Sequence, residues 1–290
     1  MHPLKTFLPF LFAIAWFTAI WTNKPDNDPR RTDAVPCMPL ETMEAFQMEA
    51  VTTPFAMLHP TPKAANSSER LGRMIAFKGS DGVEAKGYYI ASKTKSKRWL
   101  IVIQEWWGLN ENIKEEADKY YSDLGDMNVI AVDMYDGRVA ETPDSAMKIM
   151  RSVDQKRLKA IVEGAIAHAG PDASIYSVGW CFGGMWSLQT AILAGPRAKG
   201  TVMFYGRPET DVEKLKSIQC DVIGFFGNLD SSPSPAMVNA FEENMRVAGR
   251  NLSTHRYEAG HGFANPSNPR FNREATQDSY AKAIAFLKSH

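Results

Sequence analysis

Three cysteines, Cys37, Cys181 and Cys220, in 290 residues are too few for a disulfide framework or a four-ligand zinc site. Neither sign of charge is in excess. Lys+Arg and Asp+Glu each number 33, so the basic surplus of a nucleic-acid binder is missing. There is no internal repeat and no low-complexity tract. No uncharged apolar run reaches the roughly 20 residues that span a bilayer upright. What is present is ordinary for a globular chain: 44% hydrophobic, 23% charged, with 20 Gly and 17 Pro. Disordered and collagen-like classes are excluded. The chain is long enough to bury the core of one large α/β domain or of two small ones.

The first 22 residues stand apart as a signal peptide or membrane anchor. After Met1–Lys5 the stretch Thr6–Trp21 carries no charge, a length that fits a signal-peptide core. Pro9 interrupts it, and Ala13-Ile14-Ala15 lies inside it rather than after it. The reading is export, periplasmic or secreted, or outward-facing attachment through residues 6–21. The alternative is a cytoplasmic protein with an apolar N-terminal helix packed on its domain. Cys37 follows Pro36 far beyond the run, which excludes a lipoprotein site. If the chain is exported, Cys37 and Cys220 are able to pair and leave Cys181 free. Residues 23–70 are rich in Pro, Asn, Asp, Ser and Met without a sustained period, and read as a linker or loosely packed arm.

From residue 71 to 290 the pattern is regular. Met74–Phe77 and Val83–Ile90 flank Gly79-Ser80-Asp81-Gly82, a hairpin signal. Strands follow at Trp99–Gln104, Val129–Val132, Ile175–Val178, Thr201–Phe204, Val222–Phe226 and Leu252–Tyr257. Helices alternate with them. One follows Asn112, a cap paired with Glu115, and closes at Gly125. One runs from Pro143 towards His168, and others cover Phe182–Leu193, Pro235–Val247 and Arg273–Leu287. This alternation predicts an α/β fold: a mostly parallel sheet with helices on both faces, led by an antiparallel hairpin. Chemistry in such sheets sits at the carboxyl ends of the strands.

The sharpest motif falls there. Gly179-Trp180-Cys181-Phe182-Gly183-Gly184 joins a strand directly to a helix, as in the G-x-nucleophile-x-G elbow, with Cys in the nucleophile's place. The turn aims the Phe182 amide, at a helix N-terminus, towards a developing oxyanion. Hydrolases of this topology supply nucleophile, acid and histidine in that order. Asp230 follows the Val222–Phe226 strand, and His261 follows the Leu252–Tyr257 strand. Asp221 starts its strand and so lies at the wrong end. The other histidines fall in the leader (His2), the arm (His59), a helix end (His168), a strand (His255) and the terminus (His290). Cys181 is thereby assigned as nucleophile, His261 as general base and acid, and Asp230 as the group that orients the imidazole.

With Gln104-Glu105-Trp106-Trp107-Gly108-Leu109-Asn110 and Asp133-Met134-Tyr135, these residues resemble the dienelactone hydrolase family over about 72–288. That family is a branch of the α/β-hydrolases with a Cys-Asp-His triad. The resemblance implies hydrolysis of a small-molecule ester or lactone, with no cofactor and no metal. It implies that Glu105 lies beside the nucleophile and controls its ionisation, that the Trp106 amide joins Phe182 in the oxyanion hole, and that Tyr205 lines the pocket. Trp107 is a further substrate-contact candidate among the tryptophans around the predicted site.

Two departures bear on the substrate. The best-known members place an Arg four residues after the histidine, where this chain has Asn265. The stretch around Pro269-Arg270-Phe271 instead resembles a broad, often exported subgroup. Arg270 either supplies a compensating charge for a substrate carboxylate or serves as a structural loop residue. The competing class is a membrane-tethered hydrolase-fold protein that binds a ligand or partner without turnover, and an intact triad argues against it. A monomer or dimer is expected, with no nucleic-acid partner.

Overall fold

The nearly all-apolar run at Trp99–Gln104 becomes a strand walled in on both sides, and the other elements are arranged around it. In a computed structural model, residues 40–61 and 69–290 are described. The expected leader at 1–22 and Cys37 lie outside them. In chain order the elements are α1 (Leu40–Ala50), α2 (Thr53–Leu58), β1 (Arg73–Lys78), β2 (Glu84–Ile90), β3 (Arg98–Ile103), α3 (Glu111–Leu124), β4 (Asn128–Val132), α4 (Pro143–Ser152), α5 (Gln155–His168), β5 (Ser174–Trp180), α6 (Phe182–Ala194), β6 (Ala198–Phe204), α7 (Val212–Leu215), β7 (Asp221–Gly227), α8 (Pro235–Val247), β8 (Leu252–Tyr257) and α9 (Arg273–Ser289).

The strands form one eight-stranded sheet in the order β1-β2-β4-β3-β5-β6-β7-β8. β1 and β2 pair antiparallel, as the hairpin signal requires, and β2 also runs antiparallel to β4. The rest of the sheet is parallel. Register carries the carboxyl ends to one edge: Ile103 opposes Gly179, Trp180 opposes Phe204, and Gly227 opposes Tyr257. The segments that leave those ends, after β3, β5, β6, β7 and β8, hold Glu105, Cys181, Tyr205, Asp230 and His261.

Two local expectations are corrected, and one element is added. The single helix from Pro143 towards His168 is two helices, because Val153 turns extended (φ −71°, ψ 125°) and the Asp154 side chain accepts from the Lys156 amide to start α5. The cap of α3 is Asn110 rather than Asn112: its side chain accepts from the Ile113 amide, and Gly125 closes the helix in the left-handed conformation at φ 79°. The short α7 has no counterpart in the sequence reading; Asp211 caps it.

The largest difference concerns 23–70, where composition predicts a linker or loosely packed arm. Residues 40–61 instead carry two helices built into the core, with Met43, Phe46, Ala50 and Phe55 buried. Thr52 caps α2 by accepting from the Phe55 amide, and a proline in the first turn presets the backbone there. Polar groups pin α1 from three directions. Thr42 donates to Glu209 at 3.0 Å, Gln47 donates to Met150 O at 3.1 Å, and Glu49 meets both Arg207 (2.7 Å) and Ser232 (2.8 Å). Burial of Phe46 and Phe55 contributes roughly 2–3 kcal/mol apiece.

Candidate active site

Backbone geometry singles out the candidate nucleophile first. Cys181 has φ 54° and ψ −117°, a conformation that a side-chain-bearing residue adopts only under constraint. Close approach supplies the constraint. A Cβ on Gly179 would lie 2.1 Å from Gly183 O, and one on Gly183 would lie 2.2 Å from Ile103 O. Only hydrogen fits at either position. Beneath the elbow, Ser177 Oγ lies 2.9 Å from Thr201 Oγ1, and Ser187 donates to Ser177 (3.0 Å) and Val202 O (2.8 Å). These bonds lock β5, β6 and α6 together. The Phe182 amide, at the start of α6, favours the thiolate form of Cys181.

The two other residues assigned to the triad lie together at the same sheet edge. His261 Nδ1 lies 2.8 Å from Asp230 Oδ2, and both residues are buried. Asp230 Oδ1 also accepts from the Ser232 amide at 2.9 Å, so each oxygen has a partner. Burial opposes a cation on His261, but Asp230 and the Cys181 sulfur together outweigh it and hold the imidazole well above its ordinary pKa. Burial raises the Cys181 thiol, against the pull of His261. Asp221 lies at the far end of its strand, bound to Asn251 and His290.

Glu105 leaves the end of β3 and is buried. Its carboxylate accepts from Asn265 at 2.6 Å and from Tyr205 at 3.4 Å. The nearby cation Arg138 is engaged elsewhere, its guanidinium donating to Tyr135 O and Ser152. Burial, only partly offset by His261, Asn265 and Tyr205, pushes Glu105 up to about 7. Its charge raises the thiol in turn. Asn265, the residue in the place of the family's Arg, thus serves to hold Glu105.

Trp106 and Trp107 are buried with ring centroids 5.1 Å apart. Tyr205 adopts φ 36°, and its ring lies 5.1 Å from that of His261. Arg270 is exposed; its amide donates to Asn268 Oδ1, and its charge bears on His59. Cys220 is a free thiol facing Thr201, and its candidate partner Cys37 lies outside the described residues.

One site residue escaped the sequence reading. His59, at the end of α2, is buried with Nε2 3.4 Å from Cys181 Sγ. Its Nδ1 bonds Phe55 O at 2.8 Å, and its ring stacks on Phe55 at 4.1 Å. Burial and the neighbouring His261 push its pKa well below the usual imidazole value, so the ring is neutral. Nδ1 then carries the proton, and Nε2 accepts from the thiol. Phe55 also packs edge-on against Trp106 at 5.0 Å. The arm therefore covers the nucleophile, and Cys181 is 1% exposed. A cavity of about 660 Å³, lined by Leu71, Arg73, Tyr89 and Tyr121 among others, lies instead by the antiparallel hairpin and α3.

An eight-stranded, mostly parallel sheet with a cysteine at a strained strand–helix elbow defines an α/β-hydrolase with a thiol in the nucleophile's place. The model of the dienelactone hydrolase family matches residues 86–290, and the chain belongs to that family. It is 26% identical over 235 residues to Protein usf of Aquifex pyrophilus, across 76% of this chain and 99% of that one. It is also 26% identical over 230 residues to carboxymethylenebutenolidase 1 of Cupriavidus pinatubonensis, across 72% and 96%. Among solved structures, a dienelactone hydrolase-like promiscuous phosphotriesterase from metagenomic libraries superposes with a TM-score of 0.63 at 21% identity, covering 76% of this chain and 98% of that one. An esterase from Thermogutta terrifontis does so at 0.53 and 19%, covering 76% and 94%.

Proposed function

We propose that the protein hydrolyses a carboxylic ester or lactone through a Cys181 acyl-enzyme. The observation that carries the reading is the 2.8 Å contact between His261 and Asp230 beside a thiol held at φ 54°. The thiol and His261 share one proton. Asp230 favours it on the imidazole, whereas burial, Glu105 and His59 favour it on sulfur.

Substrate entry moves His59 and Phe55 aside and turns the thiol to His261. The thiolate attacks the carbonyl carbon, and the Trp106 and Phe182 amides receive the oxyanion. His261 gives its proton to the leaving alkoxide, then takes one from water as that water attacks the thioester. In a lactone the alkoxide stays on the acyl group until hydrolysis releases the hydroxy acid. Aromatic side chains around the elbow favour a flat or apolar acyl group, with Trp107 and Tyr205 as contacts and Arg270 as a candidate for a substrate carboxylate. Residues 6–21 fit an export signal or outward-facing anchor for this enzyme.

A panel of lactones and small aryl esters tests the reading. The purified chain is expected to turn over p-nitrophenyl acetate, and Cys181→Ala to lose more than about a thousandfold in rate. Cys181→Ser should remain badly impaired, because its hydroxyl is a poor nucleophile in a site built for a thiol. Near-normal turnover by the Ala variant would sink the nucleophile assignment.

A further inference from the structure

Two imidazoles meet one thiol at the elbow, and the hydrolytic cycle uses only one of them. His59 Nδ1 is committed to Phe55 O, which leaves a lone pair on Nε2, 3.4 Å from Sγ. His261 Nδ1 is committed to Asp230, and its Nε2 has no hydrogen-bond partner. The three donor atoms lie within 4.8 Å of one another, on three buried residues.

We propose that His59, Cys181 and His261 form a binding site for Zn²⁺, which occupies the nucleophile and holds the enzyme off. Thiolate and neutral imidazole are the ligands that this borderline-soft cation takes. With Zn–S of about 2.3 Å and Zn–N of about 2.0–2.1 Å, a tetrahedral S···N edge is about 3.5 Å. The His59–Cys181 pair already stands at 3.4 Å. The remaining edges close from at most 4.8 Å by small side-chain rotations.

The outer groups are in place as well. A backbone carbonyl holds one Nδ1–H and a carboxylate holds the other, the arrangement that orients metal-bound histidines. The fourth position is left for water or a small anion. Binding exchanges the thiol proton for the metal, so affinity rises with pH. His59 comes from the arm, while Cys181 and His261 come from the sheet edge. All three ligands therefore coexist only with the arm docked, and a bound cation fastens it there.

Blocking of turnover rests on the hydrolase reading; binding itself does not. The full chain, stripped with chelator, is titrated with Co²⁺ and followed by absorption, and Zn²⁺ affinity is read by competition. A thiolate-to-cobalt charge-transfer band is expected, absent in Cys181→Ser. Zn²⁺ affinity should fall at least about tenfold in both His59→Ala and His59→Gln. The Gln variant keeps a polar side chain in the arm, and circular dichroism with a thermal melt verifies that each variant folds. Zn²⁺ should also stop aryl-ester turnover, with recovery on adding chelator.

No charge-transfer band, a band that survives in Cys181→Ser, or unchanged affinity in folded His59 variants overturns the site. Zn²⁺ bound at this site without loss of turnover overturns the inhibitory role. Failure of the metal-free protein to hydrolyse any ester is a separate result, directed at the hydrolase reading alone, because the cobalt spectrum requires no turnover.

Discussion

Asn265 donates its side-chain amide to Glu105 at 2.6 Å, joining the loop after β8 to the end of β3 across the catalytic edge. The contact stabilises a carboxylate that burial otherwise drives towards the acid form. With a folded pKa of about 7 against an ordinary 4.5, the folded state binds the proton more tightly than the unfolded chain. Its contribution is therefore fully present below about pH 4.5 and declines as pH rises to about 7. The loss is on the order of 3 kcal/mol. Glu105→Gln should flatten that part of the stability profile in denaturant melts between pH 4 and 8. An identical slope in both proteins would refute a buried, proton-binding Glu105.

The same substitution reports on the thiol. Above pH 7 the Glu105 charge opposes a second negative charge on Cys181, so Glu105→Gln should move the iodoacetamide midpoint to lower pH while turnover falls. A midpoint that stays put or rises would show that Glu105 does not control the nucleophile.

Asp230→Asn tests the orienting contact. The amide preserves the shape but removes the charge that holds His261 in its working tautomer, so kcat should fall on the order of 10⁴-fold. The Cys181 alkylation profile is expected to move upward as the imidazolium loses its support. A small loss in kcat would mean that His261 is aligned by something other than Asp230.

Phe55→Ala addresses the cover. The side chain stacks on His59 and packs against Trp106, so its removal should cost about 3–4 kcal/mol. It should also speed alkylation of Cys181 several-fold, because arm opening requires less work. If stability falls while alkylation stays slow, the arm does not govern access to the thiol.

The elbow, the hairpin and the alternation of strands and helices are legible in the sequence because each is local. Glycines flank Cys181 where close backbone approach demands them, and Asp230 and His261 each follow a strand within a few residues. His59 is not legible in this way. Its partner lies 122 positions away, and its helix has only six residues, too short to show a period. The fragments that were available were Thr52-Thr53-Pro54, a helix-start signal, and the apolar Phe46 and Phe55 in a polar stretch. The role of Asn265 was hidden for a similar reason, since its partner is 160 positions away. The break between α4 and α5 was hidden because one capping aspartate outweighs a continuous apolar stripe.

Every residue of α6 except Leu193 is buried. The helix that carries Cys181 at its head thus has no wet face. A substitution along it disturbs the core before it can alter what the enzyme accepts, so this helix is closed to gradual change of specificity. New substrate preferences in this chain have to arise on the segments leaving β3, β6 and β8 and on the arm, where side chains meet the site without also supporting the sheet.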